Sequence, residues 1–493
     1  MSHPRKITRR DLLSTSALVT AGLALLPRPV FAADTKPNIV FILADDMGFA
    51  DVGCYGRPDV KTPNIDRLAA EGTRFLQAYA NSAVCSASRT ALITGRYQYR
   101  LRVGLEEPIN TASTFRVGLP PDHPSLPSLL KKAGYNTALV GKWHLGFLPD
   151  FGTLPNFGPL KSGYDHFYGY RSGGVDYFSH KASNNKLDLW DDDVTVNQHG
   201  YLTDLLGTKS VDLIDGFVKQ GNPFLLSLHF SAPHWPWEAP GDEAESQRLE
   251  SRTLTSSDSG TQKTYVRMIE AMDAQIGKVL NAVQANHIAR NTIVIFTSDN
   301  GGERFADTWP FTGRKTELLE GGLRIPAIIR WPGHVPAGAT TDQVAIHMDW
   351  LPTLLAAAGT APDPAYPSDG IDLSPMLLHG APPQPRKLFW RFKANAQRAA
   401  RDGDYKILKI NENSFLFDVV ADPMERANLK DRHKDVYDRM VAEWNAWNAG
   451  MLAEIRESAT GGFEAATLAD HIGARKASGE IDPADGWPAA PVP

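Results

Sequence analysis

Four short apolar runs, each followed at once by polar or charged residues, constrain the fold of this chain more than any other feature. They are residues 38–44, 137–141, 224–230 and 292–298. Unbroken runs of aliphatic and β-branched residues are typical of strands that are buried on both faces of a parallel sheet. Because ligands of such sheets lie beyond the carboxyl ends of the strands, the polar residues behind these runs are predicted to meet in one cleft.

Segments with helical periodicity separate the four runs. Residues 62–71, 125–133, 201–218 and 264–286 carry apolar side chains at spacings of three and four, as helices packed on a sheet do. This alternation of strands and helices predicts an α/β fold with a large, mostly parallel sheet sandwiched by helices. We expect this main domain to span residues 34–375.

The pattern changes after about residue 375. A proline-rich stretch is followed by short strand-like segments and by one helical segment rich in Trp and Met. These segments are, in order, residues 388–393, 405–410, 414–418 and 434–451. Residues 376–493 are therefore predicted to form a C-terminal α+β subdomain, a smaller antiparallel sheet plus a helix, with a tail past residue 461.

Residues 1–33 differ from the rest of the chain. Arg9-Arg10 precedes an apolar run that ends at Leu26, and Ala32-Ala33 supplies small residues suited to cleavage. This arrangement predicts a twin-arginine-type signal peptide, recognition by the twin-arginine export machinery, and a periplasmic or secreted protein. The apolar run is shorter than the roughly 20 residues of a spanning helix. We therefore expect no stable membrane association, with an uncleaved anchor as the alternative.

Charge and cysteine content exclude two further classes of protein. The formal net charge is −5 and the positive residues form no stripe, so nucleic-acid binding has no electrostatic support. Cys54 and Cys85 are the only cysteines, too few for a disulfide framework in a chain of this size. A single Cys54–Cys85 bridge is one alternative fate for Cys85.

Acidic and amide side chains follow two of the predicted strands. Asp45, Asp46, Asp299 and Asn300 offer an all-oxygen set, which suits one hard divalent cation such as Ca²⁺ or Mg²⁺ rather than zinc or iron. We expect Ca²⁺, with Mg²⁺ as the alternative. The alternative is that these residues only start loops at strand exits, a common role of Asp and Asn. Two acidic pairs in one space would repel each other without a cation, which favours the metal site.

Cations and imidazoles follow the other strands. Lys142 and His144 stand two apart, so an extended chain would present both on one face, where they suit an anion. His234 lies between two prolines that hold its ring in place, and a positioned imidazole can protonate a leaving oxygen. Lys315 lies in a loop shortly after Asp299. The alternatives are a solvated strand end, a structural histidine and a salt-bridged surface lysine.

Cys85 directly precedes a predicted short helix, with Arg89 one turn further on. Residues 83–95 resemble the signature of the type I formylglycine-dependent sulfatases of the alkaline phosphatase superfamily, and residues 134–144 resemble the second signature of that family. Residues 163–170 are similar to the arylsulfatase A/B-like branch. Ala87 stands where the commonest family pattern has proline, which leaves the identity of the maturation enzyme open.

The resemblance implies a maturation step and a metal set. A formylglycine-generating enzyme would oxidise Cys85 to Cα-formylglycine, whose hydrated form attacks sulfur. The implied metal ligands are Asp45, Asp46, Asp299, Asn300 and modified Cys85. Asp299 would also be the base that activates the attacking hydroxyl.

The resemblance also implies roles for five basic side chains. Arg89 would buttress the diol, while Lys142 and Lys315 would hold the sulfate oxygens. His234 would assist the departing alcohol, and His144 would deprotonate the sulfated diol so that sulfate is expelled. A geminal diol can eject sulfate through its second hydroxyl, a route that a serine nucleophile lacks.

These observations predict an exported sulfuric ester hydrolase that acts on an aryl sulfate or on a sulfated sugar such as N-acetylgalactosamine sulfate. One alternative is a phosphate or phosphonate monoester hydrolase on the same scaffold. A second is a catalytically silent protein that binds sulfated sugars, if Cys85 is not matured. The pocket walls come from loops, so the sequence determines neither the particular ester nor the oligomeric state.

Overall fold

The computed structural model describes residues 36–109, 117–146, 157–249 and 259–454. The predicted signal peptide and the predicted tail lie outside these ranges. Within them, no helix combines the length and the apolar character needed to cross a bilayer.

The strands of the described residues are, in chain order, β1 (Asn38–Ala44), β2 (Thr73–Phe75), β3 (Ala78–Tyr79), β4 (Asn136–Lys142), β5 (His166–Tyr170), β6 (Trp190–Asp191), β7 (Val194–Thr195), β8 (Phe224–His229), β9 (Thr292–Ser298), β10 (Ala327–Arg330), β11 (Ala339–Thr341), β12 (Ala345–Ile346), β13 (Lys387–Phe392), β14 (Gln397–Asp402), β15 (Tyr405–Ile410) and β16 (Asn413–Asp418). The helices are α1 (Pro63–Ala70), α2 (Cys85–Thr94), α3 (Leu126–Lys132), α4 (Leu202–Gln220), α5 (Glu243–Leu249), α6 (Gln262–Ala285), α7 (Glu320–Leu323), α8 (Trp350–Ala357), α9 (Ser374–His379) and α10 (Lys434–Asn448).

Ten of the strands form one large sheet in the order β11-β2-β10-β9-β1-β8-β4-β5-β6-β7. The five central strands, from β9 to β5, all run parallel. Antiparallel pairings occur only towards the two edges, at β10, β6 and β7. The four apolar runs of the sequence are β1, β4, β8 and β9, so the expected large, mostly parallel sheet is confirmed.

Both faces of this sheet are covered by helices. Because alternate residues of a strand point to opposite sides, one strand contributes side chains to the core on each face. In β1, Val40 and Ile42 pack into a core that includes residues of α1, α4 and α6. Ile39 and Phe41 pack into the opposite core, which includes residues of α2, α3 and α8. The predicted sandwich of helices around the sheet is therefore confirmed.

The C-terminal part forms a four-stranded antiparallel sheet in the order β13-β14-β15-β16. Helix α10 packs Tyr437, Met440 and Trp444 against it. The antiparallel sheet and its helix are as predicted, but the sequence patterns did not reveal β14. This strand contains no β-branched residue, and its Arg398 and Arg401 are nevertheless buried. The domain boundary at residue 375 stays a prediction.

A buried ionic network joins the C-terminal sheet to the short helix α7. Lys406 of β15 binds Glu320 of α7 at 2.9 Å and Glu425 at 3.0 Å, and all three side chains are fully enclosed. Gly322, in the same short helix as Glu320, accepts a hydrogen bond from Gly301. The network therefore fixes the segment that lies against the end of β9.

Candidate active site

The ends of β1 and β9 lie side by side, since Ala44 pairs with Ser298 in the parallel register. The next residues continue this contact: the Asp299 amide donates to the Ala44 carbonyl at 3.1 Å, and the Asp46 amide donates to Asp299 Oδ1 at 3.1 Å. Asp46 has a φ of 62°, in the left-handed region that is uncommon for residues other than glycine. The Asp45-Asp46 pair and the Asp299-Asn300 pair therefore meet, as the sequence predicted.

Cys85 is the first residue of α2 and points into this acidic group. Its Sγ lies 3.4 Å from Asp45 Oδ1 and 3.8 Å from Asp46 Oδ1, and the residue is buried. Burial raises the pKa of the thiol well above its ordinary value, although Lys142 and Lys315 lower it in part. The other cysteine, Cys54, is also a free thiol. The alternative of a Cys54–Cys85 bridge is therefore excluded.

Four side chains offer ligand atoms that lie within 4.8 Å of one another: Asp45, Asp46, Cys85 and His234. Asn300 adjoins them through a 2.7 Å hydrogen bond from Nδ2 to Asp46 Oδ1, and its Oδ1 is buried without a hydrogen-bond partner among the described residues. An unpaired amide oxygen beside two carboxylates suits a hard cation. The residues present therefore fit a divalent cation. His234 is an addition to the set expected from the sequence.

Three positively charged side chains lie against the three carboxylates of the site. Lys142 Nζ lies 2.5 Å from Asp45 Oδ2, and Lys315 Nζ lies 2.6 Å from Asp46 Oδ2. Arg89 Nε donates to Asp299 Oδ2 at 3.0 Å. The Lys142 and Arg89 pairs are buried, and the Lys315 pair is partly buried, with a lysine side chain that is 12% exposed.

The two adjacent carboxyls have opposite pKa shifts. Burial, reinforced by Asp299, raises the pKa of Asp45 to about 8 in spite of Lys142. Burial also raises the pKa of Asp46, but Lys315 and His234 outweigh it and hold that pKa below its usual range. Asp46 is thus the carboxyl that the protein's own cations keep ionised. A bound divalent cation would favour the ionised form of both.

The chain around His144 is not extended, although an extended chain was the basis for placing His144 on the same face as Lys142. The expectation of an extended chain was wrong, because β4 ends at Lys142 and His144 has a φ of 54°. Its Nε2 lies 2.7 Å from the Ile109 carbonyl, and its Nδ1 is buried with no hydrogen-bond partner in the described ranges. Because a carbonyl only accepts, Nε2 carries the proton and Nδ1 keeps a free lone pair. Burial and Lys142 lower the pKa of the ring well below its ordinary value.

His234 has the opposite orientation. Its Nδ1 lies 2.5 Å from the Trp235 carbonyl, so Nδ1 carries a proton, and Nε2 faces Asp46 Oδ2 at 3.5 Å. Its ring packs against Trp235 at a centroid distance of 4.7 Å. The two histidines therefore present different nitrogens to the site.

The structure adds residues that the sequence patterns did not single out. His229, the last residue of β8, contacts Arg89, and Glu303 Oε2 lies 3.6 Å from Lys315 Nζ. Gly173 and Gly174 lie against His144 and His234 respectively. In the sequence, His229 stood inside the apolar run 224–230 and carried no separate signal, and two adjacent glycines carry no functional signal by themselves.

The parallel sheet with helices on both faces, and the acidic and cationic side chains at the ends of its central strands, define a hydrolase of the alkaline phosphatase-like class. Residues 37–360 match the model of the family described as Sulfatase, and residues 313–447 match the family described as N-sulphoglucosamine sulphohydrolase, C-terminal. The chain belongs to the sulfatase family and is a sulfuric ester hydrolase.

Similar proteins include N-acetylgalactosamine-6-sulfatase of Mus musculus, 35% identical over 79% of this chain and 74% of that protein. Arylsulfatase A of Homo sapiens is 33% identical over 82% of this chain and 79% of that protein. Among solved structures, Ps i-CgsB in complex with k-i-k-neocarrahexaose is 33% identical and has a TM-score of 0.75. It covers 84% of this chain and 93% of its own.

Proposed function

We propose that this protein is an exported sulfatase that hydrolyses the sulfate monoester of a sugar or an aryl alcohol, with Cys85 as the precursor of a formylglycine nucleophile. The observation that carries the proposal is the position of Cys85, 3.4 Å from Asp45 at the start of a buried helix. Lys142 and Lys315 bind the neighbouring carboxylates. The nucleophile precursor, the candidate metal site and two lysine ammonium groups thus lie close together.

Asp45, Asp46, Asp299, Asn300 and modified Cys85 would hold the cation, and the hard oxygen set suits Ca²⁺ or Mg²⁺. Ca²⁺ is the ion that we propose first. When bound, the cation and the hydrated formylglycine supply Lewis-acid stabilisation and the attacking hydroxyl. Each oxygen of Asp299 accepts one hydrogen bond and keeps lone pairs for the cation or for a proton. Asp299 is therefore our candidate for the base.

The two lysines would bind the sulfate oxygens, and Arg89 would hold Asp299 in position. Lys142 and Lys315 lie beside different carboxylates, Asp45 and Asp46 respectively, so they can take sulfate oxygens from two sides. Cations preset in a dry site stabilise charge that develops during displacement more strongly than cations in water. Arg89 ties Asp299 to the end of β4 through bonds to both.

The histidine orientations support a division between acid and base. His234 turns Nε2 towards the carboxylates, while Nδ1 holds its proton against the Trp235 carbonyl. We propose that the doubly protonated ring gives the Nε2 proton to the departing alcohol and returns to the neutral form, with its proton on Nδ1. His144 keeps Nδ1 free of hydrogen bonds within the described ranges, so this is the atom that we propose to accept a proton when sulfate is released.

The nucleophile is tested by peptide mass spectrometry of Cys85 together with activity. We expect a mass change at Cys85 in active protein and loss of sulfatase turnover in Cys85→Ala. Cys54→Ser is the matched control and is expected to retain activity. An unmodified thiol in fully active protein, or full activity of Cys85→Ala, would overturn the proposal.

The reaction class is tested with matched nitrophenyl sulfate and nitrophenyl phosphate. We expect a preference for sulfate, and a preference for phosphate of more than about tenfold would favour the alternative phosphohydrolase. Binding of sulfated saccharides by calorimetry, with an unmodified Cys85 and no turnover in protein purified from its source cell, would favour the silent binding protein.

Sulfated saccharides are the substrates to screen first. N-acetylgalactosamine-6-sulfatase of Mus musculus is a relative at 35% identity, and Ps i-CgsB was solved in complex with k-i-k-neocarrahexaose. Aryl, hexosamine and uronic-acid sulfates therefore form the panel.

Export is tested by fractionating the source cell before and after Arg9-Arg10→Lys-Lys, which is expected to retain the protein in the cytoplasm.

A further inference from the structure

Arg89 is the most connected basic side chain of the active site. It donates from Nε to Asp299 Oδ2 at 3.0 Å and from Nη1 to the Lys142 carbonyl at 3.1 Å. Its Nη2 lies 3.7 Å from Asp45 Oδ2 but makes no hydrogen bond to any described residue. One guanidinium thus contacts residues at the ends of β1, β4 and β9.

His229 reaches Arg89 from the strand that lies between β1 and β4. It pairs with Leu43 on one side and with Gly141 on the other. A Cβ at position 141 would stand 1.8 Å from the His229 carbonyl, and Gly141 has a φ of 112°. This close approach of β4 to β8 requires glycine, and it brings the Lys142 carbonyl within 3.3 Å of His229 Nδ1.

Three polar atoms then form a small triangle. His229 Nδ1 lies 3.4 Å from Arg89 Nη1, and both nitrogens lie beside the Lys142 carbonyl oxygen. A doubly protonated ring would place a second cation against the guanidinium, so His229 is neutral; burial and Arg89 lower its pKa well below the ordinary value. In either neutral tautomer Nδ1 makes one bond within the triangle, by accepting from Arg89 or by donating to the carbonyl.

A cavity of about 20 Å³ adjoins this triangle. Its polar lining is Arg89, His229, Ser227 and Tyr164, and the rest is apolar, including Phe41 and Trp143. Tyr164 donates its hydroxyl proton to Ser227 Oγ at 2.9 Å, so the proton of the serine hydroxyl is free to point elsewhere. A cavity of this size holds a single water, provided that it offers two or more polar partners.

We propose that His229 is a positioning residue that fixes Arg89 and the Lys142 carbonyl, and that one water in this cavity completes the contacts of the guanidinium. His229 touches neither substrate nor cation in this arrangement. It acts through Arg89, and so the inference rests on the role proposed for Arg89 above.

The test compares His229→Phe, which keeps an aromatic ring and removes Nδ1, with His229→Asn, whose side-chain amide restores a polar atom near the Nδ1 position. We expect His229→Phe to lower kcat by about 10-fold to 100-fold, the usual effect of removing a supporting hydrogen bond, with KM within about threefold of wild type. His229→Asn should recover most of the loss. Turnover is expressed per formylglycine-containing, folded protein, which removes effects on maturation or stability.

A double-mutant cycle with Arg89→Lys separates this inference from the proposed function. Coupled residues give non-additive effects, so Arg89→Lys should lower kcat less in the His229→Phe background than in the wild type. Wild-type activity in Arg89→Lys would overturn the proposed role of Arg89 itself. A large effect of Arg89→Lys with no effect of His229→Phe, or full additivity, would overturn only the role of His229.

The water is tested by a crystal structure at about 1.5 Å resolution, which shows ordered buried waters. We expect one water within hydrogen-bond distance of Arg89 Nη2 and of Ser227 or Tyr164. A dry cavity would overturn this part of the proposal.

Discussion

Gly173 lies so close to the His144 imidazole that a Cβ at position 173 would stand 2.9 Å from both Cε1 and Nε2 of the ring. A Cβ at the neighbouring Gly174 would stand 3.2 Å from Cε1 of the His234 ring. Two adjacent positions without side chains thus make room for both histidines of the site. The backbone of Gly173 lies outside the left-handed region, so only the side-chain clash opposes a larger residue.

We predict that Gly173→Ala lowers kcat about tenfold or more, because the ring of His144 must move and a displacement near 1 Å can cost up to a hundredfold. Steady-state kinetics on a sulfate ester measures the change. Gly216→Ala in α4 is the matched control, since nothing lies within 4 Å of a Cβ there. That control should keep wild-type kinetics and stabilise the helix by about 0.5–1 kcal/mol. Equal kinetics of both variants would show that His144 does not depend on this packing.

Removal of the cation should lower both stability and activity. We expect a chelator to lower the melting temperature and Ca²⁺ to restore it, since saturation to 100 times Kd adds about 2.7 kcal/mol to the free energy of unfolding. Differential scanning calorimetry measures the shift. Asn300→Leu removes the unpaired amide oxygen and should abolish most of the Ca²⁺-dependent shift. A shift that is unchanged in this variant would place the cation elsewhere.

Lys406→Met should destabilise the protein by about 3–5 kcal/mol, the usual cost of leaving buried carboxylates without their partner. Lys406, Glu320 and Glu425 are fully enclosed. Urea denaturation measures the free energy of unfolding. Lys434→Met is the control: Lys434 is 69% exposed in its pair with Asp438, and exposed helical pairs contribute about 0.3–0.5 kcal/mol. Similar losses in the two variants would contradict a buried network.

Glu238 should make stability depend on pH. Burial, with Asp176 beside it, raises the pKa of Glu238 to about 9, whereas the glutamate carboxyl of an unfolded chain has a pKa of about 4.3. The folded state therefore binds one more proton between about pH 5 and pH 9, so this group makes the free energy of unfolding fall as pH rises, by up to about 1.4 kcal/mol per pH unit. We predict that Glu238→Gln gains stability over wild type across that window. Melting temperatures at pH 5, 7 and 9 test this, and a difference that stays constant with pH would refute it.

Much of the fold was predictable because its signals are local. The runs that became β1, β4, β8 and β9 are buried on both faces, so apolar side chains fill most of their positions and the strands stand out. Strand β14 was missed for the complementary reason: its two arginines are buried by pairing with distant groups, which a local pattern does not contain.

The sequence by itself determined which residues follow the strands, and with them the two acidic pairs, the cysteine at a helix start and the basic side chains of the site. Hydrophobic periodicity is a pattern of a few neighbouring residues, so it can be recognised from the sequence alone. Only the tertiary structure decided that His144 turns away from an extended path, that His229 meets Arg89, and that Gly173 leaves room for an imidazole. Those relationships depend on the register of β8 against β1 and β4 and on contacts between segments far apart in sequence, because close packing is a property of the assembled core.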